Sequence, residues 1–362
     1  MMSSQVQATS SEIRKSYHWL RAGGVISFLV ILAFTSIILA SAIGSAYISP
    51  LQEIRMIAHA LGLPVAVTWS ESDSAILFQL RMPRVVAAFL VGCGLSSAGL
   101  VMQGVFRNPL ADPYILGSSS GAGLGAVLAM ALALRWNFLG FAPVPLLAFV
   151  GAMLSVVLVY IIAGAFGSVD PTRLILAGVA VGSFLGAIMS FIMAFTPLVQ
   201  SQLKAVFVWL LGGVGVSGWN ELRVLLPLFF ITILVLFFMS SDLDALTLGD
   251  EGASYLGVNV TYTRIALIGL SALLTASAVS VSGLIGFVGL VVPHVMRMAF
   301  GPKHAMMIPV TALAGGSFMV IIDLLARVAL SPNEVPVGIL TAMIGAPFFL
   351  FMLRKLGKGY SL

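Results

Sequence analysis

The sequence predicts an all-α, polytopic membrane protein with about ten transmembrane helices. Hydrophobic residues make up 60% of the 362-residue chain and charged residues only 9%, against about 25% charged in an ordinary soluble domain. The mean hydropathy is +1.10. This composition excludes a water-soluble, disordered, collagen-like or disulfide-stapled chain. The apolar runs are continuous rather than alternating, which excludes a membrane β-barrel.

Apolar intervals without Asp, Glu, Lys or Arg define the predicted spans, because about 20 such residues cross the bilayer core. Pro143 and Pro145 mark the start of the fourth span. The interval 265–296 is too long for one helix, and Ser282-Gly283 and Gly286 predict a break that leaves a long helix and a shorter one. The intervals are 22–52, 85–106, 113–134, 136–169, 174–203, 224–241, 265–296, 304–322 and 335–353.

Charge placement predicts the orientation of the chain. The first span follows Arg14, Lys15 and Arg21 and is too long for the apolar core of a signal peptide, so we interpret it as retained. The positive-inside rule places the N-terminus in the cytoplasm, and ten crossings return the C-terminus there. The predicted segments are a cytoplasmic tail (1–20), a transmembrane domain (21–355) with an extracytoplasmic segment (48–82) and a cytoplasmic loop (241–260), and a cytoplasmic C-terminal tail (356–362).

Several kinds of chemistry are not expected of this chain. The Gly-x-x-x-x-Gly-Lys-Ser/Thr loop that cradles nucleotide phosphates does not occur, so any ATP energy must come from another subunit. The net charge of +5 comes from Lys and Arg scattered at the ends of apolar runs, and we expect no nucleic-acid partner. The single cysteine, Cys93, is interpreted as a packing residue. The histidines are too far apart in sequence to predict a metal site; they are His18, His59, His294 and His304.

Gly117 to Gly121 matches the G-x-S-x-G pattern of serine hydrolases. That pattern needs a preceding strand, with a histidine and an acid in reach. Here it opens an apolar run in which glycine and serine recur, and small residues at this spacing let membrane helices approach closely. We therefore predict helix packing, with an intramembrane hydrolase built on Ser119 as the disfavoured alternative.

A short cytoplasmic turn between two spans carries Asn108, Pro109, Asp112 and Pro113. The two prolines and the Asp at the re-entry into the next span predict a tight turn. A rigid structural turn and a role in gating remain equally open.

Charged residues near the outer ends of the spans form a second candidate feature. Asp323 and Arg327 stand four residues apart on one helix face, acid before base. A charge inside a membrane costs about 2.5–3.5 kcal/mol on insertion scales, so it is paired or functional. Two interpretations stay open: an internal ion pair, or an Arg327 offered to an acidic partner outside. Two interpretations also stay open for Arg81 and Arg84: contact with an acidic partner outside, or side chains that extend to the membrane interface as snorkelling anchors.

The acidic loop 241–260 predicts two short helices with an apolar side. Its acids are Asp242, Asp244, Asp250 and Glu251. A solvated loop would not need an apolar side, so we interpret the loop as a docking surface for a cytoplasmic subunit. The apolar side is formed by Leu243, Leu246, Leu248, Tyr255 and Leu256.

Four long segments resemble those of one known protein family. They read RMPRVVAAFLVGCGLSSAGLVMQGVFRNPLADPYILGSSSGA, LGDEGASYLGVNV, SGLIGFVGLVVPHVMRMAFGPKH and DLLARVALSPNEVPVGILTAMIGAPFFLFML. In this order they resemble the permeases of ABC importers for ferric siderophores, haem and vitamin B12, the FecCD-type or type II importers. The resemblance runs from residue 20 to residue 355.

The resemblance implies the ABC type II importer permease fold, a homodimer and a translocation path between its subunits. Implied partners are two copies of a cytoplasmic ABC ATPase that would bind ATP and Mg, an extracytoplasmic substrate-binding protein, and the lipid of a bacterial cytoplasmic (inner) membrane. The implied ATPase-docking residues are Gly249, Asp250, Glu251, Ala253, Leu256 and Gly257. The implied contacts of the binding protein are Arg81, Arg84 and Arg327. The implied cargo is a bulky metal chelate, a ferric siderophore or haem before cobalamin.

An ion-coupled secondary transporter that acts without an ATPase is the alternative function. Such a protein needs buried carboxylates or polar helix breaks at the bilayer midplane to bind its coupling ion. Asp323 is the acid placed inside a predicted span, and it has a basic neighbour. The sequence therefore favours the importer permease.

Overall fold

A computed structural model describes residues 23–44, 48–165, 170–216 and 218–357. Within these ranges the regular secondary structure is helical, and the strand-like pairing is limited to isolated bridges. The predicted tail 1–20 lies outside the described residues, as does most of the tail 356–362. The helices are α1 (Gly23–Ala42), α2 (Pro50–Ala60), α3 (Glu71–Ala75), a π-helical stretch (Ile76–Arg81), α4 (Met82–Val105), α5 (Ser118–Ala131), α6 (Pro143–Gly164), α7 (Pro171–Phe195), α8 (Pro197–Ser201), α9 (Leu203–Leu210), α10 (Asn220–Phe238), α11 (Ser240–Thr247), α12 (Asp250–Tyr255), α13 (Val260–Ser282), α14 (Val288–Phe300), α15 (His304–Val328) and α16 (Val337–Gly357).

The membrane-spanning elements agree with the predicted number. Within the described ranges, 7 helices are long and apolar enough to cross a bilayer: α1, the continuous helix 71–105 that contains α4, α6, α7, α10, α13 and α15. Three shorter apolar helices, α5, α14 and α16, bring the set to ten. The predicted division of the interval 265–296 is confirmed, since α13 ends at Ser282 and α14 begins at Val288.

Helix α4 forms the centre of the fold. In the continuous helix 71–105, 83% of the most apolar 18-residue stretch is buried inside the protein. In α7, at the periphery, the corresponding share is 17%. Helices α13, α14 and α15 surround α4. Gly92 and Gly99 allow this approach, because a Cβ at either position would overlap the backbone carbonyl of Gly315 or Gly289. Van der Waals contact between small residues drives such packing in lipid.

The glycine and serine run that opens α5 has a packing role. A Cβ at Gly121 would overlap the carbonyl oxygen of Gly151 on α6, and a Cβ at Gly151 would overlap Gly121 in return. The prediction of helix packing for this segment is confirmed. Ser119 lies on α5, which follows a turn at Gly117 rather than the strand that a nucleophile elbow requires.

Candidate functional site

Helix lengths place two charged residues at the same end of the bundle. Arg84 precedes the end of α4 at Val105 by 21 residues, and Asp323 follows the start of α15 at His304 by 19 residues. At 1.5 Å per residue these separations are about 32 Å and about 29 Å. Both match the roughly 30 Å hydrocarbon thickness of a bilayer, so the two charges lie near one boundary of the bilayer rather than at its midplane.

Arg84 is the centre of a cluster of charged residues, Arg81, Arg84, Asp323, Arg327 and Glu334. We call it the outer charge cluster after the predicted orientation of the chain. Its Nη2 and Nε atoms lie 3.0 Å and 3.2 Å from Asp323 Oδ1. Its Nη1 and Nη2 atoms donate to Glu334 Oε1 and Oε2 at 2.9 Å and 2.8 Å. Such a two-pronged arrangement is the strong geometry for an arginine and a carboxylate.

Arg327 completes the cluster on the other side of Asp323. Its Nε atom lies 3.1 Å from Asp323 Oδ2, and the two side chains are 10% and 1% exposed. The internal ion pair that the four-residue spacing predicts is confirmed. Arg327 also donates to the carbonyl oxygens of Ala40 and Ile43, at 2.8 Å and 3.3 Å.

Arg81 holds the same helix end as Arg327. Its Nη1 atom donates to the carbonyl oxygens of Ser41 and Ala42 at 2.9 Å and 3.0 Å, and the residue is buried. The last carbonyls of a helix lack intrahelical donors and carry partial negative charge. Arg81 and Arg327 therefore cap the C-terminus of α1, and both lie with their charge directed into the protein.

A buried glutamate lies beside this cap. Ser41 Oγ donates to Glu53 Oε1, and Glu53 is fully buried in the first turn of α2. Burial raises the pKa of Glu53 to about 7, although the Ser41 hydrogen bond and the Arg81 charge both lower it. The sequence reasoning did not single out Glu53 or Glu334. Both glutamates lie outside the apolar intervals and at the same predicted end as the arginines, and this is the signal that could have identified them.

The three arginines predicted to contact a binding protein differ in accessibility. The structure brings Arg81, Arg84 and Arg327 together, but Arg81 and Arg327 are turned inward as helix caps. The side chain of Arg84 is 23% exposed, and its neighbour Glu334 is 54% exposed. Arg84 is thus the member of the trio that a partner can reach in this conformation. The docking role itself stays a prediction.

On the opposite face, α11 and α12 are the two short helices that the acidic loop predicts. We call residues 240–258 the docking loop. Asp250 attaches it to the membrane body, because its Oδ1 atom accepts from Arg264 Nη2 at 2.7 Å and lies 3.5 Å from Arg107 Nη2. Asp244 Oδ1 lies 2.6 Å from His304 Nδ1 at the start of α15. Two carboxylates therefore fasten the docking loop to three elements of the bundle.

The apolar residues of the docking loop divide into two groups. Leu243 and Leu246 are buried in the core, so the expectation that they belong to an exposed apolar side is wrong. Ala253, one of the predicted ATPase-docking residues, is also fully buried and packs inward. Of the residues that the sequence analysis assigned to docking, the exposed ones are Leu248, Asp250, Glu251, Tyr255, Leu256 and Gly257. Tyr255 is 90% exposed, and Gly249 and Gly257 supply the positive φ of the two turns.

The turn between α4 and α5 is held by side chains of its own. Asn108 Oδ1 accepts from the Leu110 N–H at 2.9 Å, and Asp112 Oδ1 accepts from the Tyr114 N–H at 2.8 Å. Such side-chain turns fix the backbone locally. Burial raises the pKa of Asp112 to about 6, while the Tyr114 hydrogen bond lowers it. The geometry is that of a rigid turn, and a gating role stays a prediction.

Two further contacts attach this turn to the break between α13 and α14. The Tyr114 hydroxyl donates to the Ile285 carbonyl oxygen at 3.1 Å. Pro113 is buried against Gly289, where a Cβ would lie 2.7 Å from Pro113 Cδ. Pro109 lies at the tip of the turn, half-buried. The turn and the helix break therefore form one connected unit.

Comparison with known proteins gives a consistent set of relatives. The FecCD transport family matches residues 29–355. The chain is 40% identical over 309 residues to the cobalamin import system permease protein BtuC of Halobacterium salinarum, covering 85% of this chain and 78% of that one. It is 38% identical over 308 residues to the hemin transport system permease protein HmuU of Yersinia pestis, covering 82% and 89%. A metal-chelate type ABC transporter solved in an inward-facing conformation aligns with a TM-score of 0.78 and 31% identity over 92% of this chain and 99% of that one.

Proposed function

This chain belongs to the FecCD transport family. We propose that it is the transmembrane subunit, in a bacterial inner membrane, of an ATP-driven importer for a bulky metal chelate. The cargo proposed first is a ferric siderophore or haem, and cobalamin comes next. The family match over residues 29–355 carries the proposal. The named relatives, which import cobalamin and hemin, support this class of cargo.

Coupling to a separate ATPase is supported by the docking loop. An exposed tyrosine and two exposed leucines, Tyr255, Leu248 and Leu256, stand on a helix pair that ion pairs fasten to the membrane body. Exposed apolar groups on a cytoplasmic loop are typical of a protein interface. We propose that one ATPase copy, which binds ATP and Mg, docks on this loop in each of two permease subunits. Movement of the ATPase would then reach α13 through Asp250 and α15 through His304.

A second copy of the chain would complete the translocation path. Helix α7 exposes large apolar side chains, including Leu176, Phe184 and Phe191. These must be covered by lipid or by protein, because water cannot solvate them. We propose that the homodimer interface covers part of this periphery and that the path lies along it. With both termini in the cytoplasm, the outer charge cluster faces the extracytoplasmic side and the docking loop faces the ATPase.

A binding protein that delivers the cargo would dock at the outer charge cluster. Arg84 is the proposed direct contact, because its side chain reaches the surface. Arg81 and Arg327 support the site by holding the end of α1. Arg84→Glu should weaken docking while basal ATP hydrolysis of the complex stays nearly unchanged. Unchanged docking would refute this part of the proposal.

Transport by the purified components tests the whole function. The permease and its ATPase are reconstituted in proteoliposomes, and uptake of hemin, a ferric hydroxamate and cobalamin is measured with the binding protein present. Uptake of at least one chelate should require ATP and Mg and should survive an ionophore that collapses ion gradients. Uptake without the ATPase, or its loss with the ionophore alone, would instead identify an ion-coupled transporter.

A further inference from the structure

Glu334 occupies the exposed edge of Arg84. Both of its carboxylate oxygens accept from that guanidinium, at 2.9 Å and 2.8 Å. The inner edge of Arg84 is held by Asp323, which is 1% exposed, whereas Glu334 is 54% exposed. The guanidinium therefore has one buried carboxylate that cannot leave and one surface carboxylate that can.

Glu334 is placed so that it can move away without rearranging the helices. It lies in the connection between α15 and α16, where the Asn333 N–H donates to the Leu330 carbonyl at 2.9 Å and the Val335 N–H donates to the Ala326 carbonyl at 2.9 Å. The backbone on both sides is thus anchored, and rotation of one exposed side chain releases Arg84. The pKa of Glu334 lies below its usual value, chiefly because of the hydrogen bonds from Arg84, so the carboxylate is charged at neutral pH.

We infer that Glu334 is a built-in substitute for the acidic side chain of the docking partner, and that docking proceeds by exchange of one carboxylate for another on Arg84. The inference rests on the proposed function, in which a binding protein contacts Arg84. The exchange conserves the charge around the guanidinium, so Arg84 never stands unpaired at the edge of the bilayer. Glu334 competes with every incoming acid, and a partner displaces it by supplying further contacts around its own carboxylate.

The effect of Glu334 on the affinity of the binding protein follows from the strength of an exposed ion pair. Exposed ion pairs are worth little, about 0.2–1 kcal/mol by double-mutant cycles. Removing the Glu334 carboxylate should therefore lower the dissociation constant of the binding protein by roughly 1.5- to fivefold, and not by orders of magnitude. A purely structural Glu334 predicts the opposite sign, because its loss would loosen the loop that presents Arg84.

The test uses the assembled transporter in lipid nanodiscs and, as probe, the purified extracytoplasmic binding protein that stimulates its ATP hydrolysis. The dissociation constant is measured for wild type, Glu334→Gln and Glu334→Asp. The Gln variant should bind more tightly, and the shorter Asp side chain should give an intermediate value. Glu71→Gln is the matched control, since Glu71 is an exposed glutamate at the start of α3, in the predicted extracytoplasmic segment 48–82, and its loss changes the net charge equally. The control should bind as wild type does.

A second measurement needs no partner. Phenylglyoxal modifies accessible arginines, and mass spectrometry compares the rate at Arg84 with that at Arg55, which is exposed on α2. Glu334→Gln should raise the rate at Arg84 relative to Arg55, and Glu71→Gln should not. Unchanged or weaker docking of Glu334→Gln overturns the inference, as does failure of that variant to assemble. If Arg84→Glu leaves docking intact, the proposed docking site fails separately, while the modification rates still report whether Glu334 covers Arg84.

Discussion

Asp323→Asn removes one charge from between two arginines without changing the side-chain volume. The carboxylate is 1% exposed and lies 3.0 Å from Arg84 Nη2 and 3.1 Å from Arg327 Nε. In the variant Arg84 keeps Glu334 as its counter-ion. Arg327 keeps its hydrogen bonds to the carbonyl oxygens of α1 but loses its nearest anion, although its side chain is only 10% exposed.

The magnitude follows from this burial. Removing one partner from a buried pair costs about 3–5 kcal/mol, because the other charge stays desolvated. An exposed pair is worth only about 0.2–1 kcal/mol. Since Asp323 is buried and the Arg327 side chain is only 10% exposed, while Arg84 reaches water, we expect the free energy of unfolding to fall by about 3 kcal/mol.

The single cysteine makes the assay direct. Cys93 is buried on α4, so a thiol-reactive fluorescent dye reports unfolding of the detergent-solubilised protein without further labelling. SDS titration gives the difference in free energy, and thermal melting gives a second reading. Glu71→Gln, an exposed control, should differ from wild type by less than about 0.5 kcal/mol. A loss below about 1 kcal/mol for Asp323→Asn would mean that water reaches the cluster and would refute the reasoning.

Three further predictions concern the ends of neighbouring elements. Gly44→Ala should lower the melting temperature, because its Cβ would lie 2.7 Å from Arg81 Nη2; an unchanged value would contradict the cap on α1. Glu53→Gln should flatten the fall in the free energy of unfolding between about pH 4.5 and pH 7. Burial raises the pKa of Glu53 to about 7 in the folded chain, which therefore holds a proton that the unfolded chain has lost. Parallel stability profiles for wild type and Glu53→Gln would count against that pKa. Gly257→Trp should dissociate or uncouple the ATPase, because φ is +84° at this surface turn, and co-purification with ATP-dependent uptake checks it; a fully coupled variant would remove the docking assignment.

Local composition was enough to predict the membrane-spanning elements and the two short helices of the docking loop, but not α2, α3, α8 or α9. The spans, the break before α14 and the two short helices of the docking loop all follow from apolar runs interrupted by charges, glycines and prolines. The glycine-rich start of α5 was interpretable for the same reason, since close helix contact in lipid requires small residues. The sequence also predicted one common end of the bundle for Arg81, Arg84 and Arg327, and the structure brings the three together.

The partners of those arginines were not predictable. Arg84 is 239 residues from Asp323 and 250 from Glu334 in the chain, so no spacing rule connects them. The same applies to Leu243 and Leu246, which the loop pattern placed at the surface and the fold buries. A single helix pattern says which side is apolar, but not whether that side meets lipid, a partner or the core.

Residence in lipid and the order of the spans follow from residue composition alone, because a chain with 9% charged residues cannot cover a surface exposed to water. Which charges neutralise one another, and which of the three arginines stays within reach of a partner, came from the packing of α1, α4 and α15. The physical reason is that an ion pair depends on distance in space and on burial, and both are set only when helices far apart in sequence come together.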